Sequence, residues 1–340
     1  MDRHSFNMCM SIFYFRYKKS LTICIRENPC PTNGRRAYPI NYSDQMKIPD
    51  SWRILVTGVT SIHGWPIFTQ LSELLPESSL YGQRPPKSDV PDSDNVSAFC
   101  ITERAELERI RDEFKPTHVI HCAGVCDLDV CEERLEWAYA LNVQGTKAVA
   151  DVFGCDIPIL YMSTDLVFSG YNSPTGGYAE DDEPDPINVV GKTFVEAEEH
   201  IQRCKDHCIV RLGLPLGDSI LGNKGAIDWI DGRFRRGLPV TLFYDEYRSC
   251  IDCEEIAEIT VAALALEFRG LFHLGGEKTW SLYGIGEYVL ERGGYSPDLL
   301  NGRMRHQEEN GPPRIGDVSL NSNRLKTLVK ANTLDLNCIK

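Results

Sequence analysis

The chain has 340 residues, with 36 Lys and Arg against 49 Asp and Glu and a formal net charge of −13. Apolar residues make up 42% and charged residues 25%, the composition of an ordinary folded protein, which excludes a wholly disordered chain. The acidic balance argues against nucleic acid or an anionic membrane as partner through bulk electrostatics, leaving open only a local basic pocket. No run approaches the roughly 18 uninterrupted apolar residues of a membrane span. The 13 cysteines are scattered over a long chain rather than packed into a short module, so reduced thiols and a cytoplasmic location are expected. Cys250 and Cys253 have C-x-x-C spacing, but no second pair exists to complete a zinc site, and no metal is expected.

Residues 1–45 carry three cysteines, the basic Arg16, Lys18 and Lys19, and the run Ile12-Phe13-Tyr14-Phe15. Neither helix nor strand periodicity persists there, and no small-residue cleavage site follows the apolar stretch. The segment reads as a disordered extension, with the working protein beginning near Met46.

From Arg53 the pattern changes. Ile54-Leu55-Val56 is a short β-branched run, followed by Thr57-Gly58-Val59-Thr60-Ser61-Ile62-His63-Gly64 and a helical segment to Leu75. Strand, tight turn and helix in this order are the context of a dinucleotide fingerprint. Gly58 can carry the backbone through the turn, and Gly64 lets the helix pack closely on the sheet. The helix N-terminus would then aim its free N–H groups and positive dipole end at a diphosphate. Ser61 stands where the middle glycine is usual, so a hydroxymethyl must fit beside the phosphates.

A second strand, Leu80 to Arg84, ends without an acidic residue to hold a ribose 2′-hydroxyl. Arg84 could instead meet a 2′-phosphate, which favours NADP and leaves NAD as the alternative. Next come an amphipathic helix over 103–114, a strand His118-Val119-Ile120-His121 leading to Cys122-Ala123-Gly124, a helix over 138–149, and a strand from Ile157 to Met162 leading to Ser163-Thr164-Asp165. Such alternation predicts an α/β fold, a Rossmann-type doubly wound parallel sheet, with ligands at the carboxyl ends of its strands. The cofactor-binding positions are accordingly Gly58, Ser61, Ile62, His63, Gly64, Arg84, Cys100, Ile101, Gly124, Val125, Cys126 and Met162. The cofactor domain spans 46–212, and a smaller mixed α/β substrate lobe spans 213–330, with chain interleaving between them.

This succession resembles the extended short-chain dehydrogenase/reductases, and within them the dTDP-4-dehydrorhamnose reductase group. The resemblance covers about residues 53–328. Its markers include Thr57-Gly58…Gly64, His121-Cys122-Ala123-Gly124, Leu141-Asn142-Val143, Tyr161-Met162-Ser163-Thr164-Asp165, Asp185-Pro186-Ile187-Asn188, Asp245-Glu246-Tyr247-Arg248-Ser249, His273-Leu274-Gly275-Gly276 and Pro312-Pro313-Arg314. In that family a strand-end Ser or Thr, a Tyr, and a Lys four residues further along a helix form the catalytic unit. The Tyr protonates the carbonyl oxygen while hydride arrives from the nicotinamide, and the Lys lowers the Tyr pKa and holds the nicotinamide ribose.

The resemblance implies that Thr164 carries the strand-end hydroxyl, with Asp165 beside it orienting substrate. However, aligning Gly191-Lys192-Thr193 puts Val190 at the Tyr and Phe194 at the Lys, and neither can donate a proton. Lys192 does not substitute, because two residues along a helix turn the side chain about 200° away. Losing a general acid costs about 10²–10⁴ in rate. Tyr178, in the loop before that helix, is a candidate stand-in acid or else a surface or lid aromatic, and the run Glu180-Asp181-Asp182-Glu183 is expected as a solvated loop.

In the later lobe the resemblance implies closure over a nucleotide-linked sugar. Asn188 and Arg248 are the substrate-binding candidates, Arg248 because its planar fork can bind a diphosphate bidentately. Its alternative is an ion pair with Asp245 or Glu255. Three functions follow: a nucleotide-linked 4-keto-sugar reductase weakened at its proton donor, a non-catalytic regulatory or binding subunit on the same fold, or a sugar-nucleotide epimerase or dehydratase, which would usually also need the missing Tyr and Lys. The regulatory β subunit of methionine adenosyltransferase is similar to the same reductases, so a protein partner or a homo-oligomer is also expected.

Overall fold

The computed structural model describes residues 48–336 apart from 89, 91–93 and 309–310; the extension expected over 1–45 lies outside the described residues. The seven-stranded sheet has the order β10-β6-β5-β4-β1-β2-β3. Its strands are β1 (Ile54–Thr57), β2 (Leu80–Arg84), β3 (Val96–Ala98), β4 (His118–His121), β5 (Ile159–Thr164), β6 (His207–Leu212) and β10 (Gly270–Leu274). Every pairing in it is parallel. Residues buried on both faces, such as Ile54-Leu55-Val56-Thr57 in β1, explain why these strands read as continuous apolar runs rather than alternating ones.

Helices cover both faces. On one face α1 (Gly64–Leu74) packs on α8 (Cys253–Ala265), with α10 (Asn323–Leu336) against β10. On the other lie α2 (Arg104–Glu113), α5 (Gly145–Phe153) and α6 (Val189–Gln202). The short α3 (Leu128–Glu133) and α4 (Leu135–Tyr139) lead through a π-helical turn, Ala140–Gln144, into α5. The stretch expected as one helix over 138–149 is therefore longer and interrupted. The chain runs from β1 outward to β2 and β3, then crosses to β4 on the other side of β1. That reversal opens a crevice at the carboxyl ends of β1 and β4, where ligands bind in such sheets.

The smaller lobe holds two further sheets. One has the order β11 (Thr279–Ser281), β9 (Tyr247–Asp252), β7 (Leu214–Leu216); the other pairs β12 (Leu300–Arg303) with β8 (Val240–Phe243). Helices α7 (Gly225–Arg235) and α9 (Leu282–Gly293) pack over them around Ile230, Phe234, Leu242 and Ile285. The lobe is interrupted by β10 and α10, which return to the large sheet.

Candidate cofactor and active site

The nucleotide turn is built by close backbone packing. Gly58 has φ +68°, and a Cβ there would lie 2.6 Å from the Cα and N of Ala123, so the β1–α1 turn and the end of β4 touch main chain to main chain. Gln83 fixes the turn from beneath. Its Oε1 accepts from the Gly58 N–H (2.9 Å) and its Nε2 donates to the Phe99 carbonyl (2.7 Å). Sequence reading passed over Gln83, because nothing in the pattern of β2 separates a structural amide from a solvated one.

Ser61 turns its Oγ back to accept from the Gly64 N–H at 3.0 Å. The hydroxyl that replaces the usual glycine thus takes up one of the first N–H groups of the helix. His63 is the N-cap residue of α1 without a side-chain cap bond, and both of its ring nitrogens are shielded and unpartnered. Burial holds its imidazole down to about 4. Ile62 reaches across to the smaller lobe, where its Cδ1 stands against Gly225 at the start of α7.

Arg84 ends β2 with its guanidinium folded onto its own loop, Nη1 donating to Ser88 Oγ at 3.1 Å. After β3, the Cys100 N–H donates to Glu103 Oε1 (2.8 Å) and Ile101 is buried. After β4, Asn142 holds the Val125 main chain by both its groups: Val125 N–H to Oδ1 (2.8 Å) and Nδ2 to the Val125 carbonyl (3.0 Å). Asn142 lies within the π-helical turn, which sets its side chain on that strand end. Met162 is buried in the core under α1 and α8, and so does not face the crevice through its side chain.

At the end of β5, Thr164 accepts from the Leu166 N–H (3.3 Å) and Asp165 is fully buried. Arg248 does not extend toward an open cleft. Its Nε donates to Asp165 Oδ2 at 2.6 Å and its Nη2 to Asp165 Oδ1, a bidentate pair closed from solvent. Neither Asp245 nor Glu255, the ion-pair partners expected from proximity in sequence, takes that place. Burial pushes the Asp165 carboxyl up, and the Arg248 guanidinium opposes that push. The Cys126 thiol is exposed at the same spot, beside the Thr164 hydroxyl. Glu246, also missed in the sequence, lies buried near Arg248, Arg305 and Arg314 with its Oε2 unpartnered; burial raises its carboxyl to about 7.

The helix of the expected Tyr and Lys is α6. Asn188 is its N-cap, Oδ1 accepting from the Gly191 N–H at 2.8 Å, and its Nδ2 is buried without a partner. Val190 is fully buried in the core. Phe194 is buried too: a Cβ on Gly124 would lie 3.1 Å from its Cζ, and its ring stacks on Tyr161. Tyr178 is neither lid nor surface. It is buried flat on Phe168, ring centroids 4.0 Å apart. Glu180, expected in a solvated loop, is buried as well and accepts from the His273 N–H at 3.1 Å.

The residues present fit a dinucleotide at its diphosphate end: a glycine cradle at Gly58 and the N-terminal end of α1 beside it. Among the described residues no group of three or more His, Cys, Asp or Glu could hold a metal ion.

The chain is 27% identical over 243 residues to methionine adenosyltransferase 2 subunit beta of Danio rerio, covering 68% of this chain and 71% of that protein. It is 30% identical over 217 residues to a probable low-salt glycan biosynthesis reductase, Agl14, of Haloferax volcanii, covering 62% and 70%. Its fold matches the crystal structure of dTDP-4-dehydrorhamnose reductase from Bacillus anthracis in complex with NADP, with TM-score 0.67, 18% identity, and 82% and 93% of the two chains covered. The model of the RmlD substrate binding domain matches residues 52–334, and the chain belongs to that family, within the extended short-chain dehydrogenase/reductases.

Proposed function

We propose that this protein binds NADP, with NAD as the weaker alternative, together with a nucleotide-linked 4-keto sugar, and that its proton-transfer step is lost or severely weakened. The observation that carries the reading is the state of α6. Val190, at the family's Tyr position, is sealed in the core, and Phe194, at the Lys position, is packed on Gly124. A bound nicotinamide would supply hydride. The chain's own groups would bind and orient: the turn from Gly58 to Gly64 for the diphosphate, Arg84 for a 2′-phosphate, and Thr164 for the substrate oxygen. Tyr178, the candidate stand-in acid, is buried flat on Phe168 instead.

A regulatory or binding subunit is the second reading. It is supported by the likeness to a methionine adenosyltransferase β subunit over about two thirds of each chain, and a protein partner belongs to that reading. The test is calorimetric binding of NADPH, followed by NADPH oxidation with dTDP-4-dehydrorhamnose, for the wild type and for Val190→Tyr/Phe194→Lys. Tight NADPH binding with turnover about 10²–10⁴-fold below a working general acid supports the reading. Turnover by the wild type at an ordinary enzymatic rate overturns the loss of chemistry, and absence of dinucleotide binding overturns the cofactor.

A further inference from the structure

We propose that the loop after β2 competes with the cofactor for Arg84: Ser88 occupies the guanidinium that a 2′-phosphate would take, and so sets how strongly the chain prefers NADP to NAD. The inference rests on the dinucleotide reading above and adds a specificity-determining residue to it. Thr57 of β1 and Gln83 of β2 are register partners, and the Val59 N–H donates to the Gln83 carbonyl at 3.0 Å. Arg84, the next residue, therefore stands at the carboxyl end of β2 alongside the Gly58 turn. An arginine there can meet a 2′-phosphate, where an acidic residue would hold the ribose hydroxyl instead. Arg84 is 5% exposed, and a buried charge needs acceptors.

The loop supplies three acceptors to one nitrogen. Nη1 donates to Ser88 Oγ at 3.1 Å, to the Pro85 carbonyl at 3.3 Å and to the Ser88 carbonyl at 3.4 Å. The Ser88 hydroxyl gives its own proton to the Pro85 carbonyl at 3.2 Å, so it turns lone pairs to the guanidinium. Pro85 and Pro86 fix two φ angles between the strand end and Ser88, which holds this set of oxygens in place. A phosphate also offers oxygens that accept, and it adds charge. Charge-assisted bonds from Arg run at about 2.7–2.9 Å, and every one of these loop contacts is longer. They satisfy Arg84 in the unliganded chain, and a 2′-phosphate has to displace them. NAD carries a hydroxyl at that position and displaces nothing, so the competition falls on NADP alone.

Calorimetric titration of the whole chain with NADP and with NAD tests this. Ser88→Ala should tighten NADP about three- to tenfold, the effect of removing one competing hydrogen bond to a charged group, and leave NAD within about twofold. Ser88→Asp puts a carboxylate against the guanidinium; it should weaken NADP about tenfold or more and again leave NAD unchanged. Arg84→Gln should level the two cofactors, and adding Ser88→Ala to it should change nothing further. Thermal melts of all variants confirm that they are folded. Unchanged NADP affinity in Ser88→Ala and Ser88→Asp, or an equal shift for NAD, overturns the proposal. A preference for NADP that survives Arg84→Gln overturns the 2′-phosphate assignment and the competition with it. A chain that binds neither NAD nor NADP overturns the dinucleotide reading, whereas NADP binding that depends on Arg84 and ignores Ser88 overturns the competition alone.

Discussion

Replacing Arg248 with Met removes the guanidinium while keeping most of the side-chain volume, and it isolates the Asp165–Arg248 pair. Asp165 is 0% exposed and Arg248 7%, so the carboxylate has no water to fall back on. Two of its three side-chain hydrogen bonds come from Arg248, and the third, from Thr164 Oγ1, is long at 3.3 Å. Breaking a buried pair by removing one partner costs about 3–5 kcal/mol, because an uncompensated charge remains. That corresponds to a fall in Tm of roughly 5–15 °C.

The stranded carboxyl should respond by holding its proton, so its folded pKa rises further above its unfolded value. Stability contributed by such a group is present below the unfolded pKa and is lost as pH rises through the folded one. The deficit of Arg248→Met should therefore be small in mild acid and full at neutral pH. Adding Asp165→Leu, which removes the charge, should recover most of the loss. Equilibrium urea unfolding followed by tryptophan fluorescence at several pH values measures all three. A single variant as stable as the wild type at neutral pH, or a deficit equal at every pH, would refute the reasoning.

Three further outcomes follow from the same geometry. Gly58→Ala forces a side chain into φ +68° and against the Ala123 main chain; it should cost about 1–3 kcal/mol, read by urea unfolding, and remove calorimetric dinucleotide binding. Glu246→Gln should raise stability at about pH 8 by up to roughly 3 kcal/mol and change little at about pH 4. The sign follows from a folded value of about 7 against 4.5: the wild-type carboxyl loses stability as pH rises through 7, and the amide has nothing to lose. Val190→Tyr enlarges a fully buried site and should cost about 1–3 kcal/mol by overpacking, so the double variant that tests the lost chemistry should melt below the wild type.

The large sheet was legible because buried parallel strands leave a signature in sequence. His118–His121 lies where its apolar pair Val119-Ile120 predicts a strand, and Leu80–Arg84 forms the expected second strand although only its first two residues are apolar. Strand β3 was not read, since three residues with only Val96 buried leave no pattern to detect. The π-helical turn was invisible for a different reason. Residues 138–149 keep helical composition throughout, and the extra residue is revealed only by where Asn142 ends up.

The site was legible in its backbone parts and obscure in its charges. Glycines at Gly58 and Gly64 announce a close turn because no other residue fits there. Arg248, by contrast, finds its partner 83 residues away, and local spacing pointed to Asp245 and Glu255 instead. Tyr178 and Glu180 sit in a polar loop that looks solvated, yet both are buried because that loop folds back, with main-chain bonds from Tyr178 to Ser319 and Asn321. Long-range burial of this kind has no local signal.

The most direct measurement of retained binding with lost proton transfer mixes stoichiometric NADPH with the wild-type protein, then adds dTDP-4-dehydrorhamnose while nicotinamide absorbance is followed. Bound NADPH that persists, with oxidation at least about a hundredfold slower than in Val190→Tyr/Phe194→Lys, is the predicted result. Rapid loss of the absorbance in the wild type would contradict it, and would show that another group in the crevice supplies the proton.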